Sequence, residues 1–212
     1  MSDDKTHLNG AADEHEEAPP SPPPRERLAK ETPEAVAELS ASCARFVLAK
    51  YKVPLDGTSD TLSILDQYVR DARTDIEIQP LGLPLLQATI GAYFGEVLRR
   101  SFDASWFTSG DHDGWRLDFH DVYLTLNPIG MAREALTLTA AEGWHAHLEM
   151  DDAEQAAVLS RLERLPEVSD DEYYAPSTRF DVVEIAVEAL LARAHDAGTG
   201  DVRFTVEDYR RK

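Results

Sequence analysis

Apolar residues recur at three- and four-residue intervals through Val36, Leu39, Cys43, Phe46 and Val47, the signature of one buried helix face. Thr32 is placed to cap that helix, with Pro33 at its first position. The break VPLDGTS ends it. A second helix is predicted from about Thr61 to Arg73, with Leu62, Leu65, Tyr68, Val69 and Ala72 on one face and Ser59 or Asp60 as cap. The third, from about Leu85 to Ser101, is the most apolar and takes the centre. From Ala104 the period shortens toward two. WRLDFH alternates Trp115, Leu117 and Phe119 with Arg116, Asp118 and His120. The strand-like runs are joined at a DG turn, VYLTLN follows, and GWHAHLEM reads as a further strand. PIGMAREALTLTAAEG between them reads as a short helix. Another helix opens at Asp151 with Glu154 in the reciprocal capping position, and the last runs from near Ser177 to Gly198. DVRFTVEDY reads as an edge strand. Helices, then antiparallel strands, then helices make an α+β fold, with one domain over 31–212.

Residues 1–30 do not join that pattern. AADEHEEAPPSPPPRER is rich in charge and holds five of the chain's 12 prolines, so a disordered arm is expected, and PSPPPR within it is read as a stiff linker. No internal repeat is present. With 212 residues, 42% of them hydrophobic, the chain can bury one proper core. No unbroken apolar run reaches the roughly 20 residues of a membrane span, and the first residues lack the basic and apolar regions of a secretory signal. The single cysteine, Cys43, lies on an apolar stripe and is expected to be a buried, inert thiol. A cytoplasmic location is the default.

Charge changes the picture most. The net charge is −19; Met1 to Pro24 contribute six acids and one lysine, leaving −14 on the rest. Such a field opposes phosphate backbones and anionic lipid, so neither nucleic acid nor membrane is an expected partner. It favours fast association with a basic protein.

The run GAYFGEVLRR sets Glu96, Arg99 and Arg100 into the central helix. Glu96 has Arg100 four residues on, in the favourable acid-before-base order, and the group is read as the wet edge of a core helix rather than as an active site. Gly91 and Gly95 form a strip that allows close approach of a neighbour. Gly91, Tyr93, Gly95, Glu96 and Val97, the two arginines and Trp106 downstream resemble a small uncharacterised family of bacterial domains with a G-x-Y-x-G-E-V helix followed by a tryptophan-bearing strand. The likeness spans about Leu62 to Leu191. It implies a compact bacterial α+β domain and supplies no reaction, ligand or functional residue.

Among residues able to carry chemistry, the histidines stand first. On a strand His145 and His147 would share a face, and with His120 and Asp121 or Asp111 they would compose a two-histidine, one-carboxylate metal site. The same residues read equally as the solvent face of a strand and a polar turn. Phosphate-loop, dinucleotide, nucleophile-elbow and H-E-x-x-H motifs are missing, so no cofactor is expected. Asp170, Asp171, Glu172, Tyr173 and Tyr174 form the candidate interaction patch, aromatic anchors ringed by acids. The expectation is a non-enzymatic acidic protein that binds and regulates, sequesters or inhibits a protein partner. Two alternatives stand beside it: a metal-dependent enzyme using the histidine cluster, and a homo-oligomer subunit joined through the Gly91/Gly95 face.

Overall fold

The computed structural model describes residues 27–28 and 30–210. The arm expected over residues 1–30, with PSPPPR, falls outside them up to residue 26. The boundary at 31 moves earlier, because Leu28 N–H donates to the Asp103 carboxylate (2.7 Å) and Lys30 N–H to Ser105 Oγ (3.2 Å).

The helices are α1 (Glu34–Tyr51), α2 (Leu62–Ile78) and α3 (Leu83–Ser101), then α4 (Pro128–Thr137), α5 (Asp152–Leu162), the single turn α6 (Asp170–Tyr173), α7 (Pro176–Asp196) and the turn α8 (Val206–Tyr209). The strands β1 (Ala104–Phe107), β2 (Arg116–Phe119), β3 (Leu124–Leu126) and β4 (Glu149–Met150) form one antiparallel sheet in sequential order. This is the α+β fold. The β1–β2 connection is longer than a DG hairpin and includes a 3-10 turn at His112–Gly114.

Every residue of α3 from Gln87 to Leu98 is buried, and α1 and α4 pack against it most extensively. By length and composition alone Pro80–Ser101 qualifies as a membrane span. In the fold it is the central helix of the core. The glycine strip is used inside the chain: a Cβ at Gly91 would come within 2.8 Å of Ile129 N and Pro128 O, and one at Gly95 would strike the Trp106 ring. That face is therefore covered by α4 and β1, which removes it as a dimer surface.

Three further expectations are corrected, at Thr32, Glu96 and DVRFTVEDY. Thr32 does not cap α1; Pro33 holds the cap position, and Thr32 Oγ1 donates to Glu96 Oε2 at 2.8 Å. Glu96 is not at a wet edge but 4% exposed. Its carboxylate takes Arg99 in a two-point pair (2.8 and 3.0 Å) and the Trp106 indole N–H (2.9 Å), whereas Arg100 stands off at 4.0 Å. Burial alone would raise the Glu96 pKa; the bonds from Arg99, Thr32 and Trp106 outweigh it and hold the carboxyl below its usual range. The polar side of β2 is buried as well, Asp118 at 1% and His120 at 3% exposure. The chain ends close over them: His120 Nδ1 bonds the Phe204 carbonyl (2.7 Å), and its Nε2 meets Ser105 Oγ (2.8 Å), which the Lys30 amide also reaches. DVRFTVEDY, in turn, forms no strand. Thr205 and Asp208 cap each other, turning the chain into α8, whose Tyr209 hydroxyl accepts from Leu124 N–H and approaches the Phe119 carbonyl to 2.6 Å.

Candidate protein-interaction groove

Helix α5 turns only Val158 fully inward; Leu162 is half-buried and Leu159 is 53% exposed. Two apolar residues one position apart point about 100° apart on a helix, so one stripe cannot bury both. Leu159 therefore stays on the outer wall of a groove of about 300 Å³, between α5, α7, α6 and β4. Leu148, Met150, Val158, Leu162 and Val182 give the groove its apolar lining, and Tyr173, 42% exposed, stands at its edge. Leu165 and Val168 continue exposed apolar surface along the α5–α6 connection.

The Tyr173 ring has a built support. Arg179 is 5% exposed on α7, and its guanidinium carbon lies 4.4 Å from the Tyr173 ring centre and 5.2 Å from that of Tyr174. Arg179 Nη2 donates to Glu134 Oε2 at 2.8 Å, and the other oxygen of this fully buried glutamate accepts from Ala141 N–H (3.1 Å). The pair ties α4 to α7 and fixes the cation that both tyrosines stack on.

The candidate patch divides. Asp170, Glu172 and Tyr173 face outward, while Tyr174 packs half-buried against the core. Asp171 turns the other way, pairing with Arg73 and with Arg70 (3.1 Å) on α2. The Arg73 bond above all holds its carboxyl below the usual range. Asp171 is a clasp between α6 and α2. Glu163, Glu172 and Asp181, each next in sequence to a lining residue, are exposed, as are Glu167 and Asp170 on the α5–α6 connection and α6.

The histidines do not meet. Residues 142–145 form a turn, the strand begins only at Glu149, and His145 has a left-handed backbone (φ 50°), so the two side chains do not share a strand face. His145 Nδ1 pairs with Glu149 (2.6 Å) and lines one cavity, whereas His147 lines the groove and stands 4.0 Å from Glu134. His120 has both ring nitrogens engaged, and Asp121 lies 3.3 Å from Arg203. Among the described residues no three His, Cys, Asp or Glu side chains are arranged to hold a metal ion. Cys43 is buried, and desolvation lifts its thiol to about 12, too high for a nucleophile.

The groove's own residues, Leu159, Met150 and Val182, were not singled out by the sequence reading. The signal present was surplus: Leu159 beside Val158, then Leu165 and Val168, more apolar residues than one helix face and its linker can bury. Comparison with family models, with curated proteins and with solved structures finds no match for this chain.

Proposed function

We propose that this protein is a non-catalytic, cytoplasmic binding protein that sequesters or inhibits a protein partner through the α5–α7 groove. The partner presents an apolar segment flanked by Lys and Arg. The observation that carries this reading is the coincidence of exposed Leu159 and Tyr173 with a rim of unpaired acids. Apolar surface of this kind, rimmed by polar residues among which acids outnumber bases, marks protein-interaction sites. Its tyrosine is a rigid aromatic anchor, already oriented by Arg179, so little entropy is lost on contact. The negative field speeds encounter with a basic surface and rejects acidic ones.

The test compares the full chain with a Leu159→Ser, Tyr173→Ala double variant in affinity capture from a cell lysate, at low and high salt. Both side chains are more than a third exposed, and a thermal midpoint within a few degrees of the wild type's checks that the variant is folded. A stoichiometric partner held by the wild type at low salt, released by high salt and missed by the variant supports the proposal. No stoichiometric partner at low salt, or one that the variant retains, overturns it.

A further inference from the structure

On the side of the sheet away from the helical core lies a second cavity, about 170 Å³, lined by Asp113, Trp115, Arg116, Thr125, His145 and Glu149. Sites for drug-sized ligands start at about 300 Å³, so only a small molecule fits. Its geometry follows from strand register. Asp118, Thr125 and Glu149 are opposite one another across β2, β3 and β4, and Arg116 is two residues from Asp118 on the same face. Glu149 on β4 thus stands two strand spacings from Asp118, and Arg116 is offset a further two residues along β2, so the cation and the carboxylate rise from one face about 12 Å apart at the backbone and both line the cavity.

Arg116 is prepared for a ligand. Its Nε donates to Asp118 Oδ1 at 2.9 Å, and its guanidinium carbon lies 4.2 Å from the centre of the Phe107 ring. Thr125 Oγ1 donates to the same carboxylate oxygen at 2.7 Å, which fixes Asp118 in turn. With Nε and one ring face committed, the two terminal nitrogens have no partner among the described residues. That is the fork that accepts a carboxylate at two points. Asp118 also keeps one buried oxygen, Oδ2, without a hydrogen bond. Glu149 holds His145 by one oxygen, and Asp113 adds a second carboxylate at the opening. A simple anion would be opposed by these acids, and a simple cation by Arg116. One ligand class satisfies both: a molecule carrying a carboxylate and an ammonium close together.

We propose that this cavity binds a free α-amino acid, its carboxylate on Arg116 and its ammonium between Glu149 and Asp113. The site is separate from the α5–α7 groove and does not rest on the partner-binding reading.

Calorimetric titration of the full chain with each free amino acid tests it. At least one should bind saturably at one-to-one stoichiometry. Its N-acetyl and its amide derivatives, each lacking one charged end, should bind at least about tenfold more weakly. Arg116→Lys keeps the charge beside Asp118 but loses the fork, and it should also weaken binding at least about tenfold, as should Glu149→Gln. The Leu159→Ser, Tyr173→Ala variant should bind as the wild type does. No saturable binding by any free amino acid overturns the proposal, and so does binding that both derivatives retain unchanged. The derivatives probe the unaltered chain, so the test stands even where a variant fails to fold.

Discussion

Glu96 shows how one buried acid organises its surroundings. Thr32 before α1, Arg99 one turn along α3 and Trp106 on β1 all donate to it, so three separate segments converge on two oxygens. A carboxylate this buried is tolerable only because every lone-pair direction finds a donor. Glu96→Gln removes the charge and leaves Arg99 uncompensated, and it should lower stability by about 3 kcal/mol in urea unfolding at neutral pH. The pH dependence has a definite sign. The Glu96 pKa is depressed on folding, so its contribution is present above the unfolded value and is lost as pH falls through the folded one. The gap between wild type and Glu96→Gln should therefore shrink on acidification through the carboxylate range. Asp118 behaves oppositely. Desolvation raises its pKa more than Thr125 and Arg116 lower it, so its contribution is present below the unfolded value and fades as pH rises through the folded one. For Asp118→Asn the gap should widen on acidification. Parallel pH series for the two variants would expose the error if both gaps moved the same way.

At the scale of elements, the closest contact is α3 on the start of α4. Asn127 caps α4, its Oδ1 accepting from Ile129 and Gly130 N–H and its Nδ2 donating to the His112 and Asp113 carbonyls. The helix start is thereby fixed against the β1–β2 connection, and Gly91 meets its backbone directly. Alanine is a better helix former than glycine by about 1 kcal/mol, yet Gly91→Ala should destabilise by about 2 kcal/mol, because backbone rather than a flexible side chain must yield. Gly82→Ala, where the nearest atom is Leu86 Cδ1 at 3.9 Å, should be neutral or stabilising. Equal urea midpoints for the two variants would refute the close-contact account. The same elements explain what could be read ahead of the structure. Helices α2, α3 and α7 were legible because burial fixes a three-to-four residue spacing over many turns. Alternation in WRLDFH identified β2 but not the fate of its polar face, since Phe204 and Lys30, which cover that face, lie far off in sequence. The TVED run alternates like a strand, and only the mutual capping of Thr205 and Asp208 turns it into helix. In the candidate patch, the exposure of Tyr173 and its acid neighbours could be read locally, while the turning of Asp171 toward α2 depends on Arg70 and Arg73, about a hundred residues earlier.

Across the whole molecule the charge is unevenly spread. Residues 141–210 hold seventeen acids against six bases, while 27–140 hold sixteen against eleven. Part of this excess sits on α7, where Asp181, Glu184 and Glu188 are exposed at i, i+3 and i+7 and face one another as like charges. Three of the six bases are already engaged: Arg193 pairs with Glu154 at 2.5 Å, Arg179 with Glu134, and Arg203 with Asp103 and Asp121. The exposed acids of this region therefore repel each other more than they are neutralised. Self-repulsion destabilises the compact state, and salt relieves it once the screening length falls to about 10 Å, near 0.1 M. The thermal midpoint should accordingly rise with sodium chloride. A surface stabilised mainly by ion pairs would respond in the other direction, so a falling midpoint would refute the unneutralised-surface account. Partner association has the opposite sign, because the field that strains the free protein is the one that draws in a basic segment. Stability that increases with salt while capture of the partner decreases would place both effects on the same uncompensated acids of the C-terminal third.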